Sequence, residues 1–315
     1  MEIRPLDRTD LIHPELRAVK ARSLPVNRWA LMPMRLLLAA VNGLHRRKFK
    51  GRLERLTIPS SDGYRVPTLI IRPDCQGASA PVLVYYHGGA FVMKPAPQHL
   101  ENAVRYAREA ACVVVFPEYR LAPEHVFPAG FNDCHAALLW TIATAGRLGI
   151  DAGCVAVGGD SAGGGLAAGV VQRALQEDSV SLRGQMLIYP AVDLACTRPS
   201  MAAFATVPPF RGHSHLRIAE AYLGRSPSSA VPRYASPFSG ELAGLSPAYV
   251  ETPEFDPLHD QGIAYARALA GKGVAVELNE IAGGLHGFDL LAPDTGISNE
   301  AMRRRMQFLR RIFAR

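Results

Sequence analysis

The stretch GGDSAGGGLAAG, Gly158 to Gly169, holds six glycines in twelve residues around a single serine, Ser161. It follows the strand-like run CVAV, Cys154 to Val157, and leads into LAAGVVQRALQ, whose spacing predicts a helix. Glycine costs backbone entropy wherever the chain is ordered, so such a dense cluster must be needed for its backbone shape. The pattern predicts a strand, a tight turn carrying Ser161, and a helix.

The centre of this stretch, GDSAG from Gly159 to Gly163, matches the G-x-S-x-G nucleophile elbow. In that motif a strand turns sharply into a helix and leaves the serine hydroxyl exposed in a strained conformation. Glycines two positions before and after the serine remove side chains that would otherwise collide. The alternatives are a plain tight turn or a phosphate-binding loop, but the latter has a lysine before its Ser or Thr, and this stretch has none. Ser161 is therefore the candidate nucleophile.

From about residue 52 the chain alternates short apolar runs with helical patterns, which indicates an α/β sheet, mostly parallel, with helices on both faces. Its 315 residues allow one large domain with an appendage or two domains. The first two candidate strands lack a helix between them and are expected to form an antiparallel edge. The predicted strands are the run around Arg55, Val66–Arg72, Pro81–His87, Cys112–Pro117, Cys154–Val157, Gln185–Pro190, Ala248–Thr252 and Val274–Glu280. The predicted helices are Gln98–Ala110, Asp133–Ala145, Ala162–Gln176, Gln261–Ala270 and Ser298–Ala314.

Two segments do not fit this alternation. Residues 1–50 have helix-like apolar spacing but no strand, and residues 196–235 are rich in Pro, Ser and Gly with one short helical piece, Leu216–Leu223. Neither could bury a core alone. We expect them to pack together as a helical cap over one end of the sheet, where ligands bind in such folds, leaving 51–195 and 236–315 as the catalytic domain.

The second candidate element is HGGAF, His87 to Phe91, directly after a predicted strand. Small residues let several backbone N–H groups converge on one point, and such donors stabilise the negative oxygen that develops when an ester carbonyl is attacked. The expected donors are Gly88, Gly89 and Ala90 from this loop, with Ala162 after the serine. Ala90 stands where the pattern has a third glycine, and its N–H is expected to donate if its φ is negative. The alternative is that the glycine pair only makes a turn.

A serine is a poor nucleophile unless a base takes its proton and a carboxylate orients that base. In hydrolases with this elbow the chain order is serine, acid, histidine. Asp256 follows one predicted strand and His286 follows the next, so both should emerge at the same sheet edge as Ser161. Asp260 is interpreted as an early helix residue instead, and His259 is too close to the acid in sequence to act as the base.

Composition excludes several other classes. The five cysteines never fall as C-x-x-C, so no disulfide framework or zinc site is expected. His213 and His215 have no carboxylate or cysteine near them in sequence, so we expect no metal, and no cofactor motif is present. The N-terminal sequence lacks a secretory pattern, and the apolar run Leu36–Val41 is too short for a bilayer, which favours a cytoplasmic protein.

The net charge of +7 is concentrated at the N-terminus. Residues 1–55 hold thirteen Lys/Arg against five Asp/Glu. A solvated helix end or loop is the commoner reason for such a cluster than an anionic partner. A second basic stretch, Arg303–Arg305 with Arg310 and Arg311, lies on the last predicted helix, whose buried side would come from its apolar residues. No nucleic-acid motif is recognised, so nucleic acid is not an expected partner.

Taken together, these stretches resemble the bacterial hormone-sensitive lipase family, the family IV esterases of the α/β-hydrolase superfamily. The resemblance runs in family order across roughly residues 55–290, through HGGAF, YRLAPEHVFPAG (Tyr119–Gly130), GDSAGGGLA, YPAVD, YASPF, FDPLHDQG and HGF. It implies an eight-stranded α/β-hydrolase fold with a helical cap, Ser161 as nucleophile, His286 as base and then acid, and Asp256 as its orienter.

The resemblance carries further implications and two departures. Many family members form dimers through the last strand, and a homodimer of that kind is implied here. YRLAPEH is interpreted as a structural turn beneath the site. Besides Ala90, the sequence departs from the family where DPLHDQG replaces the usual DPLRDEG, a change that we expect to touch surface charge rather than the acid itself.

The expected activity is that of a serine carboxylesterase on short- to medium-chain acyl esters, with a small-molecule ester as partner and no stable membrane insertion. An amidase or deacetylase using the same residues is a second possibility. A non-catalytic ligand-binding relative is a third, although such relatives have lost the base, and His286 is present here.

Overall fold

The computed structural model describes residues 11–19, 27–49, 51–74, 77, 79–195, 198–207, 214–227 and 231–314. The strands are β1 (Leu53–Pro59), β2 (Arg65–Ile71), β3 (Ala80–Tyr86), β4 (Val113–Pro117), β5 (Ile150–Asp160), β6 (Gly184–Ile188), β7 (Ala248–Phe255) and β8 (Val276–Leu285). The helices are α1 (Arg28–His45), α2 (Pro97–Glu109), α3 (Ala129–Ala143), α4 (Ala145–Leu148), α5 (Ala162–Asp178), α6 (Pro199–Ala203), α7 (His215–Leu223), α8 (His259–Gly271), α9 (Phe288–Leu291) and α10 (Gly296–Phe313).

All eight strands join one sheet in the order β1-β2-β4-β3-β5-β6-β7-β8. Strand β2 is antiparallel to both β1 and β4, whereas the remaining neighbours pair in parallel. The predicted fold class and its antiparallel edge are therefore confirmed. Strand β8 forms the other edge, and the dimer expected at that strand stays a prediction.

Two hydrophobic cores lie on opposite faces of the sheet because successive strand residues point to opposite sides. Val82 and Val84 of β3 face one core, which is shared with α3, α5 and α8. Leu83 and Tyr85 face the other, which is shared with α2 and α10. Since both faces of the central strands are covered, their sequences are continuously apolar, as expected for buried parallel strands.

The element boundaries differ from the predicted ones mainly at the strand ends. Strand β8 continues through Ala282, Gly283 and Gly284 to Leu285, because it stays paired with β7 as far as Phe255 opposite Leu285. Two adjacent glycines in a sequence indicate the end of a strand, so the last paired residues of β8 were not predicted. This extension matters because it delivers the chain to His286.

Parts of the expected cap contact the loops that follow the strands. Arg35 of α1 donates from Nε to the carbonyl oxygen of Val92 at 2.7 Å, and the Asn42 side chain donates to that of Pro95 at 2.8 Å. Tyr222 of α7 stacks on Phe91, with ring centroids 3.9 Å apart. Residues 1–10, 20–26, 50, 196–197, 208–213 and 228–230 of the expected cap lie outside the described residues, and the division into cap and catalytic domain stays a prediction.

Within the described ranges, no helix combines the length and apolar character needed to cross a bilayer. Cys112, Cys134 and Cys154 are buried free thiols, whereas Cys75 and Cys196 lie outside the described residues.

Candidate active site

The turn between β5 and α5 has the shape predicted for a nucleophile elbow. Ser161 has a φ of 53°, a left-handed value that is costly for a residue with a side chain. Its N–H donates to the carbonyl oxygen of Ile188 at 2.9 Å, which ties the strained residue to the neighbouring strand. A Cβ on Gly163 would overlap the carbonyl oxygens of Tyr86 and His87, and one on Gly159 would overlap the backbone of Gly163. The two motif glycines are therefore required sterically.

Three side chains from distant parts of the chain meet at this turn. The Ser161 Oγ lies 2.9 Å from the His286 Nε2, and the His286 Nδ1 lies 2.7 Å from the Asp256 Oδ2. Asp256 is fully buried after β7, and its other oxygen accepts a hydrogen bond from the Leu258 N–H at 2.8 Å. Because a carboxylate only accepts, the Nδ1 must carry a proton, which leaves the lone pair of Nε2 facing the serine hydroxyl.

The imidazole of His286 is held from one side by Tyr189. The two rings meet edge to face with centroids 4.9 Å apart, and the Tyr189 hydroxyl donates to the Asp289 Oδ1 at 2.6 Å. Burial, followed by the nearby Asp289 carboxylate, raises the pKa of Tyr189 well above its usual value, so this phenol stays protonated. Tyr189 therefore fixes the histidine without competing for its proton.

One of the three N–H donors expected in the oxyanion loop is already hydrogen-bonded within the protein. The Gly88 N–H donates to the Asp160 Oδ1 at 3.0 Å, so this donor is already used within the protein. Gly89 and Ala90 line the pocket beside Ser161, and Ala162 opens α5, where N–H groups have no partner within the helix. The negative φ on which the Ala90 donor was made conditional is not observed, since its φ is 55°. A positive φ leaves the N–H in place, so Ala90 stays a candidate donor beside Gly89. Ala90 adopts the left-handed conformation that a third glycine would reach without strain.

The YRLAPEH turn lies beneath this loop, as expected, and the structure gives it a mechanism. The Tyr119 hydroxyl donates to the carbonyl oxygen of His87 at 2.7 Å, and the Ala122 N–H donates to that of Phe91 at 3.0 Å. These two bonds hold the first and last residues of HGGAF. Arg120 in turn is anchored on the buried Asp133 by side-chain bonds of 2.9 and 2.7 Å.

Asp160 and His99 complete the site, and the sequence did not single out either of them. The Asp160 carboxylate accepts from the Gly88 N–H and the Tyr85 hydroxyl on one oxygen, and lies 3.1 Å from the His99 Nε2 on the other. Burial raises the pKa of Asp160, but His99 and Tyr85 outweigh it and lower that pKa overall. The sequence signal that could have indicated Asp160 is its position immediately before the serine. The sequence around His99 contains no comparable signal.

We expect Asp160→Asn to lower kcat by about tenfold to a hundredfold with little change in KM, because small misplacements of reacting groups are costly. The amide keeps the shape of the side chain but loses one accepting oxygen and the charge that strengthens the bonds to Gly88 and Tyr85. Steady-state kinetics on a chromogenic ester would measure the change. Asp178→Asn is the matched control, since Asp178 lies 2.7 Å from the His135 Nε2 in a similar pair away from the pocket. An unchanged kcat in Asp160→Asn would remove this positioning role.

His87, the first residue of the loop, is buried in an aromatic stack. Its ring lies parallel to that of Tyr119, with centroids 4.4 Å apart, and close to Phe116. Burial, followed by the charge of His99, lowers the pKa of His87 to about 3. The histidine is therefore neutral in the folded protein across the physiological range.

This lowered pKa predicts a specific loss of stability in acid. A histidine in the unfolded chain has a pKa of about 6.5. Below that pH the unfolded chain therefore binds a proton that folded His87 does not bind, and the free energy of unfolding falls. The His87→Gln variant lacks this titrating group, so its free energy of unfolding should depend less steeply on pH. At pH ~5 the slope should be smaller than that of the parent by up to about 1.4 kcal/mol per pH unit. Denaturant titrations at several pH values would test this, and identical slopes would contradict it.

A pocket of about 300 Å³ opens beside Ser161 and His286. Met93, Leu290 and Leu291 give it apolar walls, and Gly89 and Ala90 border it on the oxyanion-loop side. A small, largely apolar site with a nucleophile at one side suits a compact uncharged substrate better than a highly charged one.

Gln261 corrects the expectation that the HDQG departure affects surface charge. Its side chain is fully buried, and its Oε1 accepts from the N–H groups of Val192 and Asp193 at 2.8 and 2.9 Å. Gln261 lies in the first turn of α8 on the side that faces the chain after β6, whereas His259 and Asp260 of the same turn are half-buried. Asp260 is an early helix residue as expected, and His259 is turned onto it, with the Nδ1 at 3.0 Å from the Asp260 Oδ1.

Among the residues in the described ranges, no group of three or more His, Cys, Asp or Glu side chains is arranged to hold a metal ion. The His215 Nε2 lies 3.1 Å from the carbonyl oxygen of Leu194. His213 lies outside the described residues.

Comparison with known proteins shows the family to which the chain belongs. Residues 83–290 match the family described as having the alpha/beta hydrolase fold. The chain is 37% identical to esterase LipI of Mycobacterium tuberculosis over 240 residues, covering 76% of this chain and 75% of LipI. It is 37% identical to an ethyl acetate hydrolase of Pseudomonas putida over 237 residues, covering 74% of each chain.

The structural likeness extends further along the chain. A bacterial heroin esterase superposes with a TM-score of 0.89 at 37% identity, covering 97% of this chain and 99% of that one. The chain therefore belongs to the α/β-hydrolase fold family, in its hormone-sensitive lipase-like branch of carboxylic ester hydrolases.

Proposed function

We propose that the protein is a serine carboxylesterase that hydrolyses short- to medium-chain acyl esters through an acyl-enzyme intermediate. The observation that supports this most directly is the unbroken series of contacts from the Ser161 hydroxyl through His286 to the buried Asp256, at 2.9 and 2.7 Å. The named relatives are esterases or ester hydrolases, which supports the same bond type.

In the first half of the reaction, the Ser161 Oγ attacks the ester carbonyl carbon while the His286 Nε2 takes the hydroxyl proton. The imidazolium that forms is stabilised by Asp256, which stays ionised and accepts from the Nδ1–H throughout. The tetrahedral intermediate then collapses, the bond to the alcohol oxygen breaks, and His286 returns its proton to the leaving alcohol. The acyl group remains esterified to Ser161.

In the second half, His286 takes a proton from a water molecule, whose oxygen attacks the acyl carbon. The second tetrahedral intermediate expels the Ser161 oxygen, which recovers its proton from His286, and the carboxylic acid leaves. Both intermediates carry a negative oxygen. We assign its stabilisation to the backbone N–H groups of Gly89, Ala90 and Ala162, with Gly88 holding the loop against Asp160.

The size of the pocket supports esters with shorter acyl groups as the substrates. Its volume of about 300 Å³ lies at the lower end of the range for small-molecule sites, roughly 300–1,000 Å³. Met93, Leu290 and Leu291 are apolar lining residues of this pocket, and an acyl chain longer than the pocket would have to extend beyond its walls. The relative named ethyl acetate hydrolase acts on an ester with a short acyl group.

A panel of p-nitrophenyl esters of increasing acyl length tests this proposal. We expect kcat/KM to be highest between acetate and hexanoate and to fall by about tenfold or more by the dodecanoate, because the added methylenes gain no burial. The p-nitroanilide of the best acyl group, run alongside, should be hydrolysed far more slowly. Faster turnover of the anilide would instead support the amidase alternative, and no turnover of any ester would refute the proposal.

A further inference from the structure

Helix α1 carries large apolar side chains on two faces, one turned toward the protein and one turned toward solvent. The face turned toward the protein carries Leu31 and Leu38 but also Arg35 and Asn42, and both polar side chains donate to backbone carbonyls of the loops below. Arg35 also forms an ion pair with Glu124 at 2.7 Å. Half of the inward contact is therefore polar.

The outward face of the same helix is apolar along its whole length. Trp29 is 78% exposed, Leu36 66% and Leu44 63%, and Met32, Leu37 and Val41 lie exposed between them. From Trp29 to Leu44 the stripe is about 22 Å long at 1.5 Å per residue. Soluble proteins seldom expose an apolar surface of this extent unless something binds there. We define these six side chains as the α1 stripe.

The charge around the α1 stripe indicates what binds. Between Glu15 and Glu54 the sequence contains ten Lys or Arg residues and no Asp or Glu. Three of the ten are paired with carboxylates of other elements, Arg35 with Glu124, Arg46 with Glu118 and Arg52 with Asp74. Two of the ten, Arg47 and Lys48, are exposed on the short 3₁₀ turn that directly continues α1. The surface therefore combines a row of large apolar side chains with positive charge at one end.

This combination distinguishes between the candidate occupants. A second copy of the chain would bring two segments of the same positive charge together, which disfavours pairing through the α1 stripe. Nucleic acid would satisfy the charge but offers its phosphates, not an apolar surface, to the six side chains. An anionic lipid surface satisfies both features, because apolar side chains enter the acyl boundary while Lys and Arg remain among the headgroups. Tryptophan is favoured at that depth.

We propose that the α1 stripe, together with Arg47 and Lys48, docks the protein reversibly on an anionic lipid surface without spanning it. This inference is independent of the proposed esterase activity, since it is read from binding and not from turnover. It also accounts for the exposure of these six side chains on a helix whose opposite face is already held by Leu31 and Leu38 and by the hydrogen bonds of Arg35 and Asn42.

The test is co-sedimentation with two kinds of vesicle at about 0.15 M salt. One kind contains phosphatidylcholine alone, and the other contains phosphatidylcholine and phosphatidylglycerol in equal parts. The parent protein should pellet with the anionic vesicles and remain in the supernatant with the neutral ones. In a Trp140→Phe background, the emission of Trp29 should shift to shorter wavelength when anionic vesicles are added, because its ring enters the apolar boundary.

Matched variants separate docking from simple charge attraction. Leu36→Gln with Leu37→Gln changes two exposed side chains and no charge, and should lower the bound fraction at limiting lipid by about tenfold or more. Leu278→Gln, an exposed leucine on β8, should bind like the parent. Arg47→Glu with Lys48→Glu should weaken binding to the anionic vesicles strongly.

Three results would overturn the proposal. The first is a parent protein that stays in the supernatant with anionic vesicles. The second is unchanged binding in Leu36→Gln with Leu37→Gln, which would leave charge alone as the cause. The third is a dimer in light scattering that those two substitutions dissociate, which would make a second copy the occupant.

Discussion

Replacing Ser161 by alanine is expected to lower kcat by about 10⁵-fold or more, with the fold and its stability nearly unchanged. The hydroxyl oxygen at 2.9 Å from the His286 Nε2 supplies the covalent bond of the proposed mechanism, and no neighbouring group in the described site can replace it at the same position. Turnover of p-nitrophenyl butyrate measures the loss. The alanine variant should unfold at the same denaturant concentration as the parent.

Two comparisons make that result specific. Ser239→Ala changes an exposed serine on the 3₁₀ turn Pro237–Ser239 and should leave kcat unchanged. His286→Ala should lose activity to a similar extent, and combining it with Ser161→Ala should cost little more, because residues that act as a unit are strongly non-additive. Retained activity in Ser161→Ala, or additive losses in the double variant, would contradict the assignment.

Replacing Arg305 by methionine is expected to destabilise the fold by about 3–5 kcal/mol, the range found when one member of a buried ion pair is removed. Arg305 is completely buried on α10. Its Nη1 donates to the Asp289 Oδ2 at 2.6 Å, and its Nε donates to the Glu251 Oε2 at 3.2 Å. Burial lowers the pKa of the guanidinium, but Asp289 and Glu251 outweigh burial and raise it far above its usual value. Methionine would leave both carboxylates buried without a cation.

The loss would reach the site, because Asp289 accepts the hydroxyl of Tyr189, which packs against His286. Denaturant unfolding measures the change in the free energy of unfolding. Arg303→Met is the control, because Arg303 forms an exposed ion pair with Glu300 that should contribute less than about 1 kcal/mol. Adding Glu251→Gln to Arg305→Met should recover part of the stability, since it removes one of the stranded charges. Equal stabilities of the Arg303 and Arg305 variants would show that the buried network contributes little.

The sequence was sufficient for the elements that depend on local pattern. The elbow could be predicted because its glycines are required by contacts within a few residues of Ser161 and with the adjacent strand, and the strand–helix alternation fixed the sheet. Asp256 and His286 were found because chain order and strand ends bring them to one edge. These features involve spacing along the chain, which a sequence displays.

Features that depend on long-range packing were missed. Arg305 was interpreted as part of an exposed basic stretch, because neighbouring arginines on a helix are normally solvated, yet its position faces the sheet. Gln261 was expected at the surface and is buried. The partnership of Asp160 with His99 joins residues 61 positions apart, and nothing in either local sequence marks it. In each case the deciding contact lies on another element of the fold.

The most direct test of the central claim is covalent labelling with diethyl p-nitrophenyl phosphate, followed by mass spectrometry of the intact protein and its peptides. If the Ser161 oxygen is activated by His286, the parent should release one p-nitrophenolate per chain, gain one diethylphosphoryl group on the peptide containing Ser161, and lose activity in proportion. The His286→Ala variant should label far more slowly. Labelling at any other residue with loss of activity, or full activity in protein whose Ser161 is completely labelled, would contradict the assignment of Ser161 as the nucleophile.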